Sequence, residues 1–168
     1  MDIILVVLRL THILAGVFWT GAAVLMTAFL LPTVRAMGAD GGKFVQYLLG
    51  RQRLSMCISI AAILCTFTGL ALYWRVSGGF QLDRMLAPTG LALTIGAAAG
   101  VLAAIVGGVV SSPTATQMET LSKKIQSAGG PPKPEQMTEL QCLQVRLGQA
   151  GLWGAILLVI TVVGMALA

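Results

Sequence analysis

The sequence predicts an all-α polytopic membrane protein: a four-transmembrane-helix bundle with a cytoplasmic helical hairpin between spans three and four. Three observations carry this. Of 168 residues, 57% are hydrophobic and 10% are charged, where a soluble domain carries about a quarter charged. Four apolar stretches, about 3–31, 55–74, 86–110 and 147–168, reach the ~20 residues needed to cross a bilayer. Basic residues gather in two of the three connections. No stretch is left for a separate soluble unit, so 1–168 reads as a single integral membrane domain.

The first span starts at MDIIL with no basic leader and no small-residue cleavage site, so it is expected to stay attached. Pro32 and the run MGADGG then mark a stop. In KFVQYLLGRQR, Phe44, Tyr47, Leu48 and Arg51 fall at helical spacing, which suits either an interfacial helix or the first turns of span two. Span two ends in Tyr73, Trp74 and Arg75, residues suited to a membrane interface. Span three carries Gly96, Gly100, Ala103 and Gly107 on one stripe, and span four carries Gly148, Gly151 and Ala155. Lipid gives helices no hydrophobic reason to associate, so small residues that let backbones approach are read as packing seams. Between these spans, Pro113 suits a helix N-terminus, GGPPKP breaks the chain, and Leu140, Leu143 and Leu147 repeat helically.

Orientation follows from charge. The connection 32–54 holds Arg35, Lys43, Arg51 and Arg53, and 111–146 holds Lys123, Lys124, Lys133 and Arg146, against Arg75 and Arg84 in the connection between. The positive-inside rule puts the two basic connections in the cytoplasm and both termini outside, in a bacterial-type inner membrane. The net charge of +5 is therefore a topology signal, and nucleic acid is not among the expected partners. Cys57, Cys65 and Cys142 form no CxxC pair and read as small apolar fillers.

One segment departs from this plain scaffold. RLTHILAGVFW sets Arg9 and His12, the only histidine, inside the first span. Steps of three and four place Arg9, His12, Gly16, Trp19, Ala23 and Met26 on one helical face. Intramembrane ionisable groups face a bundle interior or a cavity, so this face should point inward. At about 1.5 Å rise per residue, His12 stands roughly 7 Å and Arg9 about 12 Å from a midplane at Val17. Trp19 is too deep for an interfacial belt and suits a pocket wall.

Low dielectric keeps imidazole neutral, the form that binds metals. Gly16 leaves room beside it for a flat ring, and Arg9 is placed to pair with a propionate. The stripe therefore suits a b-type haem or related tetrapyrrole, with His12 as iron ligand and Arg9, Gly16 and Trp19 around the ring. A second ligand could come from Met85 or Met165, or from the histidine of a second copy in a homodimer; five-coordinate haem is equally open. The plainer alternative is a histidine that hydrogen-bonds a neighbouring helix and an arginine that anchors the outer end. Copper handling is a further reading, from eight methionines and three cysteines, though these are dispersed.

RLTHILAGVFWTGA resembles the first span of small four-helix membrane proteins of the CopD copper-resistance family, and of HemJ-type protoporphyrinogen oxidases. VRAMGADGGKFVQYL, GLALYWRVSGGF and GGPPKPEQ resemble a set of small bacterial membrane proteins with no assigned activity, related to both. The HemJ resemblance implies that His12 is a haem ligand. The HemJ type also uses a lysine within a later span, whereas Lys43, Lys123, Lys124 and Lys133 all fall in connections here. No carboxylate lies in a span, and no phosphate loop, zinc motif or nucleophile elbow occurs, so no catalytic constellation is visible. The expected function is binding of haem b or a related tetrapyrrole for electron transfer. The alternatives are a non-catalytic membrane subunit or assembly partner, and copper handling.

Overall fold

The computed structural model describes residues 2–37, 47, 54–129 and 133–168, and every regular element among them is helical. The chain forms α1 (Ile3–Leu25), which passes through a π-turn (Met26–Leu30) into α2 (Leu31–Ala36). Next come α3 (Leu54–Val76), the short α4 (Leu82–Leu86) and α5 (Pro88–Ile105). A second π-turn (Val106–Ser111) joins α5 to α6 (Ser112–Ser127), and α7 runs from Pro134 to Ala166. Four continuous helices, Ile3–Val34, Leu54–Val76, Pro88–Ser127 and Pro134–Ala166, are long and apolar enough to cross a membrane.

The helix ends depart from the sequence reading in two places, for one reason. Pro32 does not end the first helix, which runs on to Ala36, and Pro113 sits inside a helix of 40 residues. Proline lacks an N–H, and its ring clashes with the carbonyl four residues back. Those carbonyls belong to Ala28 and Val109, and each lies within a π-turn. The wider turn makes room for the ring, as in other proline-bearing membrane helices. The third helix thus extends past 110, and the fourth is continuous from Pro134, as the helical spacing of Leu140, Leu143 and Leu147 predicts. The interfacial-helix expectation for Phe44, Leu48 and Arg51 lies outside the described residues, as do 130–132 of the hinge; Tyr47 is exposed.

Two helix pairs make the bundle. α1 packs most extensively on α3, and α5 on α7; the contacts of α3 with α5 and of α1 with α7 are sparser. The α5–α7 pair is close because glycine meets glycine. A methyl group added at Gly164 would stand 2.7 Å from the Ala92 carbonyl oxygen and 2.8 Å from the Gly96 Cα. Gly96 and Gly100 face Thr161 in the same seam, and Ala103 is buried. The predicted stripe stops there, since a methyl at Gly107 would meet nothing within 4 Å. On α7 the seam runs through Thr161 and Gly164; Gly151 instead faces the Thr27 hydroxyl, 3.2 Å from where its Cβ would lie.

At the end carrying Asp2, a carboxylate ties the α1–α3 pair. Asp2 Oδ1 accepts from the Ile4 N–H at 3.2 Å, which caps α1, and Oδ2 pairs with Arg75 Nη1 at 3.0 Å. The Arg75 hydrogen bond holds the Asp2 carboxyl below its ordinary value. Beyond Val76 the chain turns through Gly78, Gly79 and Phe80, all at positive φ. Tyr73 donates to Thr94 Oγ1 at 2.7 Å, because the Thr94 hydroxyl itself donates to the Gly90 carbonyl, also 2.7 Å away. That bond joins α3 to α5. A Cβ on Gly90 would collide with the Arg84 carbonyl oxygen, so glycine lets α4 rest on the first turn of α5.

Gly164→Val should destabilise the bundle by about 1–3 kcal/mol through overpacking, whereas Gly154→Ala, at an open position inside the same helix, should stabilise it by up to roughly 1 kcal/mol. SDS titration or thermal melting in mild detergent reads both; an equal response would mean that the seam is not where α5 and α7 touch. The Asp2 tie makes a second prediction. A carboxyl with a lowered folded pKa contributes stability above its unfolded value near 3.8 and loses it as pH falls through the folded pKa. Asp2→Asn should therefore lower the melting temperature at neutral pH, and the difference from wild type should vanish below that window.

Candidate functional site

The sparse seams between the two pairs enclose a cavity of about 380 Å³, within the range of small-molecule sites. All four long helices wall it. His12, Gly16 and Trp19 come from α1, Cys65, Gly69 and Tyr73 from α3, Ala97 and Gly100 from α5, and Leu158, Thr161 and Met165 from α7. It occupies the half of the bundle toward Asp2. Trp19 and Leu158, 7% and 4% exposed, belong to the buried cluster with Ala15, Ala61, Cys65 and Ala103 on its inner side.

His12 is the one titratable nitrogen base on this wall, and its surroundings decide which nitrogen carries the proton. Nδ1 lies 2.9 Å from the Cys65 carbonyl oxygen and 3.3 Å from Thr68 Oγ1. The Thr68 hydroxyl donates to the Leu64 carbonyl at 2.6 Å, so toward His12 it can only accept. Both neighbours of Nδ1 are acceptors, and Nδ1 must therefore be the N–H donor. In the neutral ring the free lone pair would then fall on Nε2, the form of imidazole that ligates metals. A carbonyl behind the imidazole also fixes its orientation, as it does behind many metal-bound histidines. The Cys65 thiol, 3.6 Å from Nδ1, cannot donate to a nitrogen that already bears hydrogen.

Space for the ring comes from a missing side chain. A methyl at Gly69 would stand 2.7 Å from His12 Cε1 and 3.2 Å from Nδ1, so only glycine lets the imidazole lie against α3. Gly16 does the same for the thiol, its added Cβ falling 3.3 Å from Cys65 Sγ.

The stripe read from the sequence is only partly assembled here. His12, Gly16, Trp19 and Met165 line the cavity; Arg9 is exposed on α1 outside its lining, and Met85 is half-buried elsewhere. Gly69 and the Cys65 carbonyl are absent from the sequence reading. Their signal was there, since Ala61, Cys65, Gly69 and Tyr73 recur at four-residue steps along span two.

The lining is mainly apolar, with the His12 imidazole as its one nitrogen base. Among the described residues no three histidine, cysteine, aspartate or glutamate side chains converge as a metal-ion cluster. Known protein families, characterised proteins and solved structures contain no match to this chain.

The tautomer is directly measurable. With ¹⁵N-labelled histidine in detergent, the single His12 should show a protonated Nδ1 and a bare Nε2. Gly69→Ala should cost about 1–3 kcal/mol of stability and mix the two tautomers as the ring leaves Cys65. A wild-type spectrum with Nε2 protonated would sink the assignment.

Proposed function

We propose that this chain is an integral membrane protein that binds a b-type haem or related tetrapyrrole through His12 Nε2, for electron transfer. The observation that supports it is the locked imidazole: Nδ1–H held at 2.9 Å by the Cys65 carbonyl, on the wall of a four-helix cavity. When bound, the ring would supply a one-electron iron couple. The chain's own residues position and exclude. Gly69 and the Cys65 carbonyl orient the imidazole, Trp19 and Leu158 shut the inner side against water, and Met165 on the same lining could supply a second ligand. Arg9, one turn nearer the surface and exposed, is placed for carboxylates that emerge from the cavity. The placement of basic residues supports an inner-membrane orientation with the termini outside and the α6–α7 connection in the cytoplasm.

A second reading rests on a different feature. Pro88–Ser127 has 40 residues, about 60 Å of helix, twice the ~30 Å of a hydrocarbon core. α6 packs along α7, with Thr114, Leu121 and Leu143 buried, so a paired helical arm runs beyond the apolar bundle. Such an arm suits a non-catalytic membrane subunit or assembly partner that docks another chain, or a second copy of this one.

Visible spectra of the detergent-purified protein, oxidised and dithionite-reduced, separate the two. The haem reading expects a Soret band, present as isolated or after adding hemin. His12→Ala should weaken hemin binding by roughly a hundredfold or more, since even outer-sphere partners of metal ligands are worth about 10–100-fold. A wild-type protein that stays colourless with added hemin overturns it and leaves the subunit reading.

A further inference from the structure

The cavity lies at hydrocarbon depth, so what can reach it depends on which wall is thin. A side chain that both lines a cavity and is exposed marks the cavity's edge. On α1, Ile13 and Val17 do so at 58% and 69% exposure and on α7 Val162 does so at 51%, while on α3 Leu70 does so less, at 41%. At 100° per residue, Ile13 and Val17 lie on the flank of α1 away from α3, and Val162 lies on the flank of α7 away from α5. These flanks meet across the sparse α1–α7 seam.

Depth separates a side opening from an end opening. Val17 is about 21 Å along its helix from Ile3, near the middle of the 32-residue span. A mouth facing water would need only Val76 and Met165, the exposed lining residues at the Asp2 end. With Ile13, Val17 and Val162 added, the opening is a slot running down the side of the bundle into the acyl-chain region.

We propose that the His12 cavity exchanges its ligand sideways with the bilayer, through a slot between α1 and α7 framed by Ile13, Val17 and Val162. For the ligand's identity this rests on the tetrapyrrole reading; the class it adds is a flat apolar ring already dissolved in the membrane. The chain is then an exchanger that loads from lipid and unloads into it. Loading forms one coordinate bond to Nε2 and moves no proton, because that nitrogen is already bare.

Two measurements on the full-length protein in nanodiscs test this, comparing wild type with the slot-filling pair Val17→Phe and Val162→Phe. Mixing with hemin-loaded vesicles should show the Soret band growing roughly tenfold more slowly in the variant, with an unchanged band position. In a Trp74→Phe, Trp153→Phe background, lipids brominated mid-chain should quench the buried Trp19, and the slot-filling pair should cut that quenching several-fold. An unchanged loading rate or unchanged quenching overturns the sideways route. If wild type takes up no hemin while quenching still falls, the slot stands and the tetrapyrrole reading fails.

Discussion

The site depends on one hydrogen bond made where no water competes, between His12 Nδ1 on α1 and the Cys65 carbonyl on α3. Such bonds between membrane helices are worth only about 0.6–2 kcal/mol, because helices separated in the bilayer find other partners. That is small beside the packing of two long apolar helices, so its role is chiefly orientation. It takes one imidazole with two equivalent tautomers and selects one. Gly69 is the condition for it: a methyl there would push the ring away from α3 at 2.7 Å, and the carbonyl would lose its donor. Asp2, Arg75 and Ile4 repeat the pattern at the surface, with one side chain satisfying a helix end and pairing with the neighbouring helix.

The cavity follows from how unevenly the small residues are spread. α5 and α7 meet glycine to glycine at Gly96 and Gly164 and close completely. His12 lies against Gly69, the Cys65 thiol against Gly16 and the Thr161 side chain against Gly100, and between the pairs a cavity remains beside them. A sealed, empty void of 380 Å³ would cost on the order of 9 kcal/mol at ~24 cal/mol per Å³, comparable with the whole stability of a typical domain. The exposed lining residues Ile13, Val17 and Val162 make this cavity an open one, to which the cost of a sealed void does not apply.

Membrane character and helix number were legible in the sequence because they depend on apolar length alone. The face of span one that lines the cavity was legible at His12, Gly16 and Trp19, which repeat at helical steps, but the same steps also picked Arg9, which is exposed outside the lining. Helix ends were not: Pro32 and Pro113 read as punctuation, and only the backbone shows each wide turn that accommodates them. The small residues of span four do mark contacts, Gly151 against Thr27 and Ala155 buried, but the α5 seam at Thr161 and Gly164 was not singled out, because a small-residue stripe does not name its partner. Gly69 and Cys65 were overlooked for a related reason. A backbone carbonyl has no letter in a sequence, and a lone glycine in an apolar helix gains meaning only when a ring is found against it.

The locked tautomer also limits what the cavity can hold. With Nδ1–H committed to α3, His12 can accept a hydrogen bond or bind a metal through Nε2, but it has no hydrogen to offer. A ligand presenting only acceptors, such as a quinone carbonyl, would set lone pair against lone pair and forfeit its own hydration, about 1–3 kcal/mol for an unsatisfied polar group. The Tyr73 and Thr161 hydroxyls are committed to Thr94 and to the Leu157 carbonyl, so a ligand presenting acceptors would have to reach the other donors on the lining, the Trp19 indole N–H and the Thr20 hydroxyl. An electrophilic metal or a hydroxyl group would meet the Nε2 lone pair of the neutral ring directly, and that is what sets His12 apart from every other group on this wall.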